Sequence, residues 1–233
     1  MAFKKYTHVF FDLDHTLWDF ETNNHLTFDE ILSRHRQIFS AIPGIDAFMT
    51  VYNVHNKALW DQYKKGLIEK DFLSYHRFVL TLGDFGIENT ELAKQMAADY
   101  IRISPTKTTL MNGAIEVLRY LSPKYKLGLI TNGFDEIQFV KIRHSGLEHF
   151  FPLVVTSEEA GCKKPEPGIF HYALKKAGAE ASNSIYIGDE PETDVIGARE
   201  ACIDQVLVTF GKYFSESGAT HTIESLYELP KIL

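Results

Sequence analysis

Apolar positions along the 233 residues fall into two patterns. Five short apolar runs, Val9–Phe11, Leu127–Ile130, Leu153–Val155, Ser184–Ile187 and Val206–Val208, are bounded by polar residues and read as buried parallel strands. Between them, apolar residues recur at helical spacing. Ile115, Leu118 and Leu121 do so within Gly113–Leu121, and Ile169, Phe170, Ala173, Leu174 and Ala177 do so after Pro167. A shorter helical stretch covers Ile196–Ala201. Pro167 suits a first helical turn, where its missing N–H costs nothing, and Gly178 suits the end of that helix. Strands alternating with helices predict an α/β fold: a Rossmann-like parallel sheet core with helices on both faces.

The first crossover breaks this rhythm. Residues 19–103 contain no good strand and four helical patterns: Thr27–Ile42, Asp46–Lys65, Glu69–Leu82 and Thr90–Ile103. Leu92, Met96 and Tyr100 show the i, i+4 stripe of the last one. A structureless loop of that length is implausible, so an inserted α-helical cap subdomain is expected over 19–103, with 1–18 and 104–233 forming the core. The insertion departs just after Thr16, beside two carboxylates. A mobile lid that excludes water and selects substrates suits that place; a purely structural decoration is the other reading.

Composition narrows the partners more than the fold. The chain is 45% hydrophobic and 24% charged, as in ordinary globular proteins. A formal net charge of −7 argues against binding a nucleic-acid polymer but leaves room for a small phosphorylated metabolite, because a bound metal can reverse the local field. Cys162 and Cys202 are too few for a disulfide framework. There is no apolar run long enough to span a membrane, and Met1–Lys5 lead into a strand rather than a signal segment. A cytoplasmic protein with neither a membrane association nor an obligate protein partner is the expectation.

Four polar groups stand at the carboxyl ends of the strand runs, where open α/β sheets bind ligands. They are Asp12, Asp14 and Thr16; Thr131-Asn132-Gly133; Lys164-Pro165; and Gly188-Asp189 with Asp194. Hard carboxylate oxygens suit Mg²⁺, which keeps few protein ligands. The Thr131-Asn132-Gly133 turn can offer backbone N–H groups to an anion, and Lys164 can neutralise further negative charge. Taken singly each has a plainer use: Asp12 and Asp14 as helix caps, Asn132-Gly133 as an ordinary turn, Lys164 as a solvated lysine. Their order and their shared place at strand ends favour a site.

The order Asp12-x-Asp14-x-Thr16, Thr131-Asn132, Lys164-Pro165, Gly188-Asp189-x-x-x-x-Asp194 resembles the haloacid dehalogenase superfamily, across essentially the whole chain. That resemblance implies a central first strand flanked by the second and fourth. It also implies that Asp12 attacks phosphorus and forms an aspartyl-phosphate, while Asp14 protonates the leaving oxygen and later activates water. Mg²⁺ would be held by the Asp12 and Asp189 carboxylates and the Asp14 backbone carbonyl. Thr131, Asn132 and Lys164 would bind phosphoryl oxygens, with Thr16 and Asp194 supporting from behind; Asp194 would orient Lys164 or a metal-bound water. Register with Pro165 favours Lys164 over Lys163. An acid at position 14 favours phosphate esters over halides as substrates. A phosphomutase also carries both acids, and a non-catalytic binding protein on the same fold is the third reading.

Asn56–Tyr63, Ile130–Phe134 and Ser157–Gly161 are similar to the pyrimidine 5′-nucleotidase branch, which implies nucleoside 5′-monophosphates as substrates. Another small phosphorylated metabolite, such as a sugar phosphate, is the alternative. Asn56, Trp60 and Lys64 share one helical face at i, i+4, i+8. Trp60 can stack on a base or pack inside the cap, and Phe20 and Phe134 are the other aromatic candidates. His15 is expected to point away from the acids or to tune them, and is given no catalytic role.

Overall fold

The computed structural model describes residues 6–35, 41–214 and 218–233. The predicted continuation of the first cap helix through residues 36–40 lies outside these. The chain divides into two compact units, Met1–Phe20 with Thr108–Leu233, and Glu21–Lys107.

In the first unit, β1 (His8–Phe11), β2 (Lys126–Thr131), β3 (Leu153–Thr156), β4 (Ser184–Gly188), β5 (Asp204–Val208) and β6 (His221–Ile223) form one sheet in the order β3-β2-β1-β4-β5-β6. Every pairing is parallel. β1 is central, with Phe11 opposite Leu129 of β2 and Ile187 of β4, as the family resemblance implies. The sixth strand is absent from the sequence reading: of its three residues only Ile223 is buried, so it makes no apolar run.

Strand alternation assigns the two faces. Val9, Phe11, Leu127, Leu129, Ile185 and Ile187 meet α5 (Ala114–Leu121) and the C-terminal turn carrying Leu226 and Leu229. Phe10, Ile130 and Tyr186 face the opposite way, onto α7 (Pro167–Ala177) and α8 (Ile196–Glu200). Helices on both faces of a parallel sheet leave both of its ends for loops, and the carboxyl end carries the polar groups.

The second unit contains α1 (Phe20–Arg34) from Glu21 onward, α2 (Ile45–Lys64), α3 (Lys70–Asp84) and α4 (Thr90–Ile103). Its core joins Phe28, Phe48, Tyr52, Phe78, Leu82, Met96 and Tyr100. The first helix starts seven residues before the predicted Thr27, because its early buried positions are Asn23, Asn24 and Thr27, which carry no apolar signal. At the junctions, Asp19 N–H donates to the Thr109 carbonyl at 3.1 Å and Met111 N–H to Leu17 at 2.8 Å, so the outgoing and returning segments pair within the first unit. Lys107 instead belongs to the second unit, through a 2.7 Å ion pair with Glu30. Among the described residues no helix is long and apolar enough to cross a membrane.

Candidate active site

β1 ends in a tight turn that fixes the two acids. Leu17 and Trp18 N–H groups both donate to the Leu13 carbonyl, at 2.9 and 2.8 Å, and His15 takes a left-handed backbone (φ 64°) at the bend. Asp12 N–H still donates to Ile187 of β4 at 2.8 Å, so Asp12 is held as rigidly as a strand residue. The His15 ring turns toward Phe20, with centroids 4.6 Å apart.

Lys164 stands at the centre of the charged groups. Its Nζ donates to Asp12 Oδ1 at 2.6 Å, Asp194 Oδ1 at 2.7 Å and the Tyr186 hydroxyl at 2.9 Å. Only 3% of Lys164 is exposed, so these three acceptors satisfy an ammonium that water does not solvate. The two carboxylates hold its pKa above the usual lysine range despite burial, so it stays charged. Its backbone is clamped in turn: Asn132 Nδ2 donates to the Lys164 carbonyl at 2.9 Å, and Lys164 N–H donates to Asn132 Oδ1 at 2.8 Å. Both the oxygen and the nitrogen of the Asn132 carboxamide therefore bond the Lys164 backbone. Thr131 is buried, and its hydroxyl accepts the Gly133 N–H at 3.1 Å.

On the other flank, the Thr16 hydroxyl donates to Asp189 Oδ1 at 3.1 Å, and Lys212 comes within 3.9 Å of Oδ2. Asp194 is 1% exposed and already engaged: Lys164 bonds one oxygen, and Glu190 N–H donates to the other at 3.1 Å. A Cβ at position 188 would overlap this carboxylate, which is why glycine ends β4.

Sequence reasoning missed three residues here. Tyr186 accepts from Lys164. From α6 (Asp135–His144), Lys141 Nζ donates to Asp14 Oδ1 at 2.5 Å and Gln138 Nε2 to Oδ2 at 2.8 Å. Burial pushes the Asp14 carboxyl up, but the Lys141 charge and both hydrogen bonds outweigh it, leaving Asp14 below the usual range. Hydrophobic periodicity could not reveal α6, because two of its three buried residues are Gln138 and Lys141. The signal that could is a polar residue at i and another at i+3 just beyond the Thr131-Asn132-Gly133 turn.

In the second unit the three cap candidates are all half-buried. Asn56 Oδ1 accepts from Arg77 at 2.9 Å, and Lys64 Nζ lies 3.5 Å from Asp61. Trp60 is half-buried and lies edge-on to Tyr63 at 5.6 Å between ring centroids. Phe20 falls in the first unit and packs against Trp18, while Phe134 is buried at the start of α6.

The donor set suits a hard divalent cation. One oxygen each of Asp12, Asp189 and Asp194 lies within 4.8 Å of the others. Four carboxylates face two buried ammoniums, Lys141 and Lys164, which leaves a local excess of negative charge. Burial and the neighbouring Asp194 and Asp12 carboxylates push Asp189 up to about 8. Burial likewise raises Asp12, against the opposing pull of Lys164. Lys164 and Tyr186 bond one Asp194 oxygen and Glu190 N–H the other, so Asp194 is the most committed of the three carboxylates.

These shifts set a sign for stability. Both acids hold protons to higher pH when folded than in the unfolded chain, where aspartate titrates near about 4. The folded state therefore binds more protons between about pH 4 and pH 8, and metal-free stability falls as pH rises through that window. Lys164, shifted up, and Asp14, shifted down, do not change state between about pH 5 and pH 8. Mg²⁺ displaces the extra protons, so it should raise the melting temperature more at about pH 8 than at about pH 5. Equal gains at both pH values would contradict this account.

Comparison with known proteins agrees with the geometry. The pyrimidine 5′-nucleotidase YjjG of Escherichia coli (strain K12) is 31% identical over 234 residues, covering 98% of each chain. The glyceraldehyde 3-phosphate phosphatase of Methanocaldococcus jannaschii is 32% identical over 237 residues, covering 97% of this chain and 96% of the relative. The orthorhombic crystal structure of YfnB from Bacillus subtilis, bound to magnesium, superposes with a TM-score of 0.88 at 26% identity over 99% of both chains. A family model described as haloacid dehalogenase-like hydrolase matches residues 6–201, and with the four strand-end groups in place this chain belongs to that family.

Proposed function

We propose that this hydrolase cleaves phosphate monoesters through an aspartyl-phosphate on Asp12 and that its substrates are nucleoside 5′-monophosphates, pyrimidine ones foremost. The observation that carries the chemistry is the state of Asp12. One carboxylate oxygen accepts from the buried Lys164 ammonium, and the other receives no hydrogen bond among the described residues. An anchored carboxylate with one uncommitted oxygen is what a nucleophile requires.

In the first step that oxygen bonds to phosphorus as the ester P–O bond breaks. The bond's electron pair leaves on the substrate oxygen, which takes a proton from Asp14; Lys141 keeps Asp14 ionised in the free protein, so Asp14 takes up that proton when the negative charge of the bound phosphate raises it. In the second step Asp14, now a carboxylate, removes a proton from water as its oxygen bonds to phosphorus, and Asp12 is released. General acid–base catalysis of this kind contributes roughly 10²–10⁴ in rate. Lys164, the Thr131 hydroxyl and the backbone N–H groups beyond it stabilise the phosphoryl oxygens, where charge builds up. Mg²⁺, held by Asp12, Asp189 and the Asp14 carbonyl, supplies a positive charge for those oxygens when bound. Asp194 and Tyr186 hold Lys164 in place, and Thr16 holds Asp189.

Substrate class rests on the likeness of 31% to the nucleotidase YjjG, and the half-buried Trp60 of α2 offers an aromatic ring for a base. Base stacking on such a ring is worth about 1–3 kcal/mol. The 32% likeness to a glyceraldehyde 3-phosphate phosphatase supports the competing reading, a smaller sugar phosphate. A steady-state panel of nucleoside monophosphates, sugar phosphates and p-nitrophenyl phosphate, with Mg²⁺ and with chelator, separates the two. Nucleotides should have the highest kcat/KM, and Trp60→Ala should raise their KM about tenfold with a smaller change for p-nitrophenyl phosphate. Equal or better turnover of sugar phosphates would overturn the nucleotide reading.

A further inference from the structure

We infer that Lys141 and Gln138 are positioning residues that aim Asp14 at the leaving oxygen, an inference that rests on Asp14 being the general acid. Each takes one Asp14 oxygen, Lys141 at 2.5 Å and Gln138 at 2.8 Å. A carboxylate has about four lone-pair directions, so two remain for substrate and water. The side chain is held by both its oxygens without being blocked.

The two partners are themselves held. Lys141 is 3% exposed, with its ammonium 4.0 Å from the Trp18 ring centroid and 5.6 Å from that of Phe20. Trp18 lies on the same turn that bends after Asp14, so acid and ammonium share one rigid frame. Gln138 is 1% exposed, and its N–H donates to the Phe134 carbonyl at 2.9 Å. A Cβ at position 133 would overlap its carboxamide, so the glycine after Asn132 makes room for the bond to Asp14.

A merely structural role fits this arrangement poorly. Replacing a buried ion pair with apolar side chains of like volume is often neutral or stabilising, so folding alone does not call for an ammonium here. The Lys141 charge favours ionised Asp14 in the free protein, so its contribution is placement rather than supply of the proton, and a displacement of about 1 Å can cost about 10²-fold in rate.

Leaving-group dependence tests the point. Protonation matters for an alkyl phosphate, whose leaving oxygen is strongly basic, and much less for p-nitrophenyl phosphate. The quantity to follow is kcat/KM, which covers the steps up to phosphorylation of Asp12. For the best alkyl phosphate of the panel above, Lys141→Met should lower it about 10–100-fold more than for p-nitrophenyl phosphate, and Lys141→Arg should recover most of the loss. Asp14→Asn is the control and should show the same selectivity more strongly. If Asp14→Asn is selective and Lys141→Met lowers both substrates alike or neither, the positioning role is overturned. If Asp14→Asn is not selective, the acid reading falls and this inference with it. Should Lys141→Met fail to fold, Gln138→Met is read by the same criteria from the other oxygen.

Discussion

Asp12→Asn should abolish turnover, with a loss of at least about 10⁴-fold, while leaving the protein folded. Asparagine keeps the shape of the side chain and still offers Lys164 an acceptor, but its amide cannot form the phosphoryl intermediate. Burial already disfavours the Asp12 charge in the metal-free protein, so removing that charge should leave the melting temperature unchanged or raised. Lys164 keeps Asp194, 2.7 Å away, as its counter-charge in the variant. Wild-type enzyme quenched in acid during turnover should carry a phosphoryl group that hydroxylamine removes, as expected of an acyl phosphate; Asp12→Asn should carry none. A labelled Asp12→Asn protein, or one turning over near the wild-type rate, would rule out Asp12 as the nucleophile.

Lys164→Met should be the most destabilising single change in the core unit. It removes the one ammonium bonded to both Asp12 and Asp194, and leaves two buried carboxylates facing each other. Breaking a buried ion pair from one side costs about 3–5 kcal/mol. For a chain of this length each kcal/mol lowers the melting temperature by about 2–4 °C, so a fall of roughly 10 °C is expected near neutral pH. The raised Lys164 pKa means that its stabilisation is complete below about pH 10, the unfolded lysine value, and is lost only above it. In the variant the orphaned carboxylates can relieve their repulsion by binding a proton, so the deficit should shrink toward about pH 5. Calorimetry at both pH values checks this. A melting temperature within about 1 °C of wild type near neutral pH would mean that the cluster does not hold the fold together.

What could be read ahead of the structure depended on whether a residue's burial was apolar. β1 and β4 were legible because Val9, Phe10, Phe11, Ile185 and Ile187 are all buried, and α4 because Leu92, Met96 and Tyr100 line up on one face. β6, with one buried residue, and the first turns of α1, which bury Asn23 and Asn24, carried no such signal. The same limit hid α6, the helix that holds Asp14. Its inward face is Gln138, Lys141 and Ile142, so its most consequential residues are those that a hydrophobic pattern treats as solvent-facing.

The candidate site divides along the same line. Asp12, Asp14, Thr131 and Asp189 were legible because each sits at or just beyond a strand end, where a parallel sheet gathers residues distant in sequence, whereas Lys164, eight residues past the end of β3, was legible only through its place beside Pro165 in the order of motifs. By itself the sequence therefore determined the parallel α/β core, the helical insertion and the acids, hydroxyl and cation of the candidate site. Only the tertiary structure decided how they are paired. It brought Lys164 to Asp12 across 152 positions and Lys141 to Asp14 across 127, and turned the Asn132 carboxamide onto the Lys164 backbone. Periodicity reports which residues leave water. Which buried polar group answers which is settled by side-chain packing and by the need to satisfy every charge away from solvent, and those conditions exist only once the chain has folded.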